Sequence, residues 1–186
     1  AQFKTSLDFF SDKQFERNAV YSQEESYYGE THRQQYEINH ELMLQYNKAL
    51  NDEFNLNINA GANSMYRKYQ RLTGYSVSGL VLPEFYNLSN SKSPAKAENA
   101  TNQKAIRSLL ANGTLGYKSM AYLDLSARED WSSTLPVGKN GYFYYSASGS
   151  LILSELIKQD WLDYAKARIG YAKVGGDTDP YRVLDT

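Results

Sequence analysis

Apolar and polar residues alternate one for one along much of this chain. Over residues 36–46, Tyr36, Ile38, His40, Leu42, Leu44 and Tyr46 share one parity, while Glu37, Asn39, Glu41, Met43 and Gln45 share the other. Side chains in a strand point to opposite faces with a period of two, so this pattern predicts a long strand with one apolar face and one polar face. The same reading applies to Phe3, Thr5, Leu7 and Phe9, and to Phe54, Leu56, Ile58 and Ala60 against Asn55, Asn57 and Asn59. It returns in Leu109 to Tyr117, in Leu123, Leu125 and Ala127 against Asp124, Ser126 and Arg128, and in Phe143 to Leu151. A last strand sets Ala165, Ala167, Ile169 and Tyr171 against Lys166 and Arg168. About seven strands are expected, with one helical turn in SELIKQDWLD.

The spaces between the alternating segments are uneven. Short connections are expected near Lys48, Ser119 and Lys158, and long ones after Phe10, Asn63 and Trp131. The polar stretch from Ser11 to Arg33 reads as a long loop. Between Tyr66 and Gln103 the alternation fades, and the tract NLSNSKSPAKAENATN reads as a mobile loop. Long connections at one end and short turns at the other are a property of transmembrane β-barrels, and a soluble sandwich has no reason to sort its loops in this way.

Composition narrows the classes without choosing a function. The 186 residues carry a net charge of -1, which gives no electrostatic footprint for nucleic acid. With no cysteine, disulfide frameworks and thiolate metal sites are excluded. The mean hydropathy of -0.63 and the lack of any long apolar run exclude a membrane helix. They leave a barrel open, because dispersed alternation has a low average. Tyrosine occurs 17 times. Tyr36 and Tyr46, ten positions apart on one face, would be separated by roughly 23 Å along the normal of a tilted strand, close to the roughly 25 Å band between aromatic girdles. Tyr36, Tyr46, Tyr117 and Trp131 are therefore expected at membrane interfaces, rings in the apolar layer and polar atoms toward water. Glu37, Asn39, Glu41, Asn55, Asn57, Asn59, Asp124, Arg128, Lys166 and Arg168 are expected to face a hydrated lumen.

No catalytic set is visible. His32 and His40 are the only histidines, and His40 lies on the apolar face, where an imidazole is expected to pack rather than ligate. No nucleophile elbow, Walker loop or dinucleotide fingerprint is present. GGDTDP, from Gly175 to Pro180, lacks the spacing of an EF-hand and reads as a polar turn. NLS, NAT and NGT match glycosylation sequons, but the last falls within an expected strand. No enzyme activity, metal or cofactor is expected.

The downstream third carries a resemblance. YLDLSAREDWSSTLPVGKNGYFYYSASGSLILSE and then WLDYAKARIGYAKVGGDTDPYRV resemble the C-terminal barrel region of the SusC/RagA family of TonB-dependent outer-membrane transporters of Bacteroidota. The matching elements are Ala127 to Pro136, Tyr142 to Ser146, with Tyr145 where the family pattern has proline, Leu153 to Glu155, and Lys166 to Gly175. The resemblance covers about Asn112 to Val183 and implies an antiparallel, up-and-down transmembrane barrel of 22 strands, of which residues 1–186 would be a partial barrel domain without the plug. It further implies the remainder of the same barrel and its plug as neighbours, a SusD-like surface lipoprotein, TonB-ExbB-ExbD acting through the plug, outer-membrane lipid around the wall, and glycans or peptides as substrates. About seven strands cannot close a membrane barrel, so this chain is expected to be unstable alone. The alternative is a soluble carbohydrate-binding β-sandwich, in which a second sheet would seal Ile38, Leu42, Leu44, Leu56 and Ile58.

Overall fold

The computed structural model describes residues 1–19, 21, 24–157 and 163–181. Seven strands form one sheet in the order of the chain: β1 (Gln2–Asn18), β2 (Tyr27–Ala49), β3 (Phe54–Leu80), β4 (Ser91–Tyr117), β5 (Ala121–Ser132), β6 (Gly141–Ile152) and β7 (Lys166–Lys173). The architecture is all-β, antiparallel and up-and-down, as the alternation requires. β4 pairs with β5 from Ile106↔Ser132 to Tyr117↔Ala121, β5 with β6 from Ala121↔Leu151 to Trp131↔Gly141, and β6 with β7 from Tyr145↔Lys173 to Ile152↔Lys166.

Two compact units divide the chain: Ala1–Ser6, Asn39–Met65 and Lys104–Thr186 in one, Leu7–Ile38 and Tyr66–Gln103 in the other. The first contains most of the alternating sequence. Its apolar face is unsealed among the described residues: Leu42, Leu44, Ile58, Leu109, Leu123, Leu125 and Phe143 are all exposed. Among the described residues, no second sheet lies over them. The sandwich alternative needed that cover, and the sheet does not have it.

The second unit corrects the sequence reading. β1 runs on to Asn18 and β2 begins at Tyr27, so most of the expected loop from Ser11 to Arg33 is strand. β3 continues to Leu80 and β4 begins at Ser91, so most of the expected mobile tract is strand as well. Alternation reports a strand only where one face is dry. Here both faces carry polar residues while the backbone ladder continues, and the period-two signal vanishes with the hydrophobic contrast. Pro94 lies outside the β4–β5 ladder, which begins at Ile106, so its missing amide costs no bond on that side. The connection at 81–90 is built rather than loose. The buried Asn90 side chain donates to the carbonyls of Leu82 (2.9 Å) and Phe85 (2.7 Å) and accepts from the Leu82 amide (2.9 Å). Ser76 and Ser26 hydroxyls accept from the amides of Tyr28 and Leu80, each at 2.9 Å.

The connections after β1, β3 and β5 are thus shorter than expected, but they remain longer than those after β2 and β4. The first short turn is closed by Asn51, whose side-chain oxygen accepts from the amides of Glu53 (3.0 Å) and Phe54 (2.8 Å). At the second, Lys118 (φ 48) and Ser119 (φ 58) are both left-handed, and the Met120 amide donates to the Tyr117 carbonyl at 3.0 Å. The chain thus reverses over three residues, 118–120, between the paired Tyr117 and Ala121. The Lys118 amide also donates to the Glu53 carbonyl (2.7 Å), and its ammonium pairs with the Glu53 carboxylate (2.8 Å), which ties the two turns together. The expected helical turn in SELIKQDWLD is a 3-10 turn at Leu153–Glu155. The connection near Lys158, expected to be short, instead runs over 153–165 and is longer than the others, with 158–162 outside the described residues. A non-glycine in the left-handed region carries about 1 kcal/mol of backbone strain. Ser119→Gly is therefore expected to raise the urea midpoint of the protein without changing its m-value.

Candidate functional site

The polar face of the first unit holds a continuous set of charged and hydroxyl side chains. It begins with the strands' second parity, which places Ser108 on β4, Arg128, Asp130 and Ser132 on β5, and Tyr144 on β6 toward the same side. Arg128 donates through Nε to Asp130 (2.7 Å) and through a terminal nitrogen to the Ser108 hydroxyl (3.0 Å), while the Tyr144 hydroxyl donates to the other Asp130 oxygen at 2.8 Å. Asp130 is buried with both oxygens engaged, which is what a desolvated carboxylate requires.

Beside it lies a second cluster, formed by the segment that follows β7. Residues 174–181 leave the strand and cross the polar face. Gly175 approaches the Tyr142 ring so closely that a Cβ there would stand 2.8 Å from Cδ2, so a larger residue would have to displace that ring. Asp177 then receives the Lys104 ammonium at 2.7 Å and the Ser132 hydroxyl at 2.7 Å, with Thr134 at 3.4 Å. Both ends of the ion pair are largely covered, with side-chain exposures of 10% and 15%, and Ser132 is fully buried. Burial disfavours the Asp177 charge, but the Lys104 and Ser132 bonds outweigh it and hold the carboxyl below its usual range. The sign follows directly. A group with a depressed native pKa stabilises above its unfolded value, about 3.9, and that contribution disappears as pH falls through the native value. A spin label or thiol probe at Thr178 is expected to report a docked segment at pH 7 and its release below about pH 4. Release that began near pH 6 would contradict a role for Asp177.

The expected lumen-facing residues fall into separate groups. Asn59 donates to both Asn57 (2.9 Å) and Asn112 (2.8 Å). Asp124 accepts from Thr114 (2.7 Å) and Ser148 (3.4 Å), and Arg168 donates to the same Ser148 hydroxyl at 3.1 Å. Arg128 belongs to the Asp130 cluster, and the Lys166 ammonium stands 5.8 Å from the Tyr122 ring centroid. Glu37 pairs with Arg67 at 3.9 Å within the second unit. Glu41 and Asn55 join none of these clusters. Among the expected interface aromatics, Tyr36 meets Tyr66 (6.0 Å), Tyr117 meets Phe54 (4.8 Å), Tyr46 is exposed and Trp131 stands opposite Arg107 and Gly141 in the sheet register.

Sequence reasoning missed Lys104, Ser108, Asp130, Ser132, Thr134, Tyr144 and Asp177 as a group. Parity alone puts Ser108 and Asp130 on the polar face. No local pattern pairs Lys104 with Asp177, since the chain must cross the sheet to bring them together. Among the described residues no group of three or more His, Asp or Glu could hold a metal ion. The arrangement is a polar surface with a strap fastened across it.

Comparison with known proteins gives a single kind of answer. No protein-family model and no curated protein matches the chain. Solved structures do match: the RagAB peptide transporter superposes with a TM-score of 0.73 at 18% identity, covering 91% of this chain and 19% of that one. The RagAB peptide importer matches in its open-open state (TM-score 0.69, 18% identity) and its closed-closed state (0.69, 16%), each over 91% of this chain and 20% of the other. The chain thus spans about a fifth of the length of these structures. At such identities the likeness concerns the fold alone.

Proposed function

We propose that this chain is part of the barrel wall of a SusC/RagA-type, TonB-dependent outer-membrane importer. The observation that carries the reading is the sheet itself: seven strands in barrel order, an exposed apolar face with no protein cover, and a fold that follows the RagAB transporter over 91% of the chain. The apolar face, with Leu42, Leu109 and Leu125, meets lipid. The polar face, with Asn57, Asn59, Asp124, Arg128 and Arg168, lines the lumen and gives passing solutes hydrogen-bond partners of both kinds. Tyr46, Tyr117 and Trp131 mark the interfaces.

In this reading the chain performs transport and no catalysis. Energy comes from TonB-ExbB-ExbD acting on a plug outside these residues, and a SusD-like lipoprotein covers the mouth. Oligopeptides or glycans are the substrates; the peptide role of the RagAB neighbours favours testing peptides first. The test is to delete the gene, fractionate the parent strain's membranes, and compare growth on defined oligopeptide and glycan mixtures with and without TonB function. Outer-membrane location and a TonB-dependent growth defect on one substrate class are expected. A protein found outside the outer-membrane fraction defeats the proposal.

The edges β1 and β7 supply a further prediction. Among the described residues their outward backbone groups have no ladder partner, and unpaired edges promote association. The isolated 186-residue chain is expected to aggregate in buffer without detergent. A monodisperse, folded species in sedimentation and circular dichroism measurements would contradict the wall assignment.

A further inference from the structure

The apolar face of the first unit is interrupted by a groove of ≈ 880 Å³. Its lining is mixed: Ala62 on β3, Ala105 on β4, Leu42, Leu109 and Trp131 stand beside polar residues such as Asn63, Ser64 and Asn140. Its volume falls in the range of small-molecule sites, roughly 300–1,000 Å³. At its margin stands Arg107, two residues from Leu109 and therefore on the apolar parity, directly opposite Trp131 in the β4–β5 register. Arg107 is exposed and has no ion-pair partner among the described residues. The nearest carboxylate on this face, Glu129, is one pair further along β5, opposite Leu109. Its Oε1 would lie 3.4 Å from a Cβ on Gly141, so it leans over β6, whereas Arg107 stands on β4 at the other side of β5.

Opposite an interfacial indole, a guanidinium on the lipid-facing parity stands at the depth of lipid headgroup phosphates, where an anion can meet it. We propose that this groove binds an anionic acylated lipid, with an acyl chain along Leu42 and Leu109 and a headgroup phosphate on Arg107. The inference rests on the wall reading, since only a membrane brings such a lipid to this face. Phosphate is a good match for arginine's planar fork, and the apolar residues of the groove give an acyl chain the contact that a soluble phosphate ester would not use.

The test uses the complete protein, extracted from its membrane in mild detergent, exchanged until free of lipid, and titrated with lipid A in the same detergent under native mass spectrometry. Saturable binding is expected, weakened about fivefold by Arg107→Gln, the effect of one basic residue at an anionic surface. Arg107→Lys should recover part of the loss. Ala105→Leu, which narrows the groove and leaves the charge, should weaken lipid A binding as well. Phosphatidylcholine should bind no better to the parent than to Arg107→Gln, and inorganic phosphate should not displace lipid A. Equal lipid A binding by the parent and Arg107→Gln, or displacement by inorganic phosphate, overturns the lipid site while leaving the barrel wall intact. Absence of the protein from the outer-membrane fraction removes both.

Discussion

Lys104→Met is expected to detach the segment that follows β7 from the polar face and to destabilise the protein by about 3 kcal/mol. Breaking a buried ion pair from one side leaves a charge without compensation, which typically costs 3–5 kcal/mol; the lower end applies because both side chains keep a little exposure, 10% and 15%. Asp177 would keep Ser132 and Thr134 as donors, but two hydroxyls do not replace an ammonium at 2.7 Å. Asp177→Asn should cost a similar amount for the opposite reason, by stranding Lys104. The double variant Lys104→Met with Asp177→Leu should be less damaging than the sum of the two changes, since it leaves neither charge behind. Urea titration of the reconstituted protein measures the stability, and the labelling rate of a cysteine placed at Thr178 measures docking. Strictly additive losses, with labelling unchanged from the parent, would show that the pair does not hold the segment.

Leu125→Arg is expected to cost about 2–4 kcal/mol, the penalty for a cation on the lipid face of a barrel near the bilayer midplane. Leu125 is 52% exposed and lies between Gly113 and Ala147 in the register, with no protein group to receive the charge. Ser126→Arg, one residue on, points to the other face and should stay within about 1 kcal/mol of the parent after losing its 2.7 Å contact with Ser146. The contrast between adjacent positions is the informative quantity. If the face of Leu125 met water, the first substitution would be nearly neutral, as most exposed changes are. Folding from urea into lipid bilayers, followed by electrophoretic mobility without boiling, gives both values. Equal effects at the two positions would remove the lipid assignment of this face.

What could be read from the sequence follows from where water is excluded. Around Leu123, Leu125 and Ala127 one face is apolar, so parity recorded both the strand and its orientation. At Ser91 to Gln103 neither face is dry, and a paired strand looked like a loop because its order lies in backbone ladders and in side chains such as Asn90 and Ser91 that bond back to the chain. The cluster at Asp177 was hidden for another reason. Asp177 could be seen as part of a polar run, but its partners are set by how residues 174–181 cross the sheet, and local patterns carry no information on that route. The family resemblance, with motifs confined to the downstream third, pointed to the fold that the solved transporters share.

Because spatial order follows chain order from β1 to β7, every strand pairs with its neighbour in sequence. Contacts in such a meander close short stretches of chain, and closing a short stretch costs little entropy. Assembly can therefore proceed hairpin by hairpin, starting where the reversal is tightest. The Lys118–Ser119 turn and the Asn51 turn are the two such points, and the bonds from Lys118 to Glu53 join the first hairpins into a four-strand seed before either outer edge is committed. A wall built this way can be extended at β1 and at β7 without undoing any contact already made, so elongation of the sheet is a kinetic consequence of its connectivity.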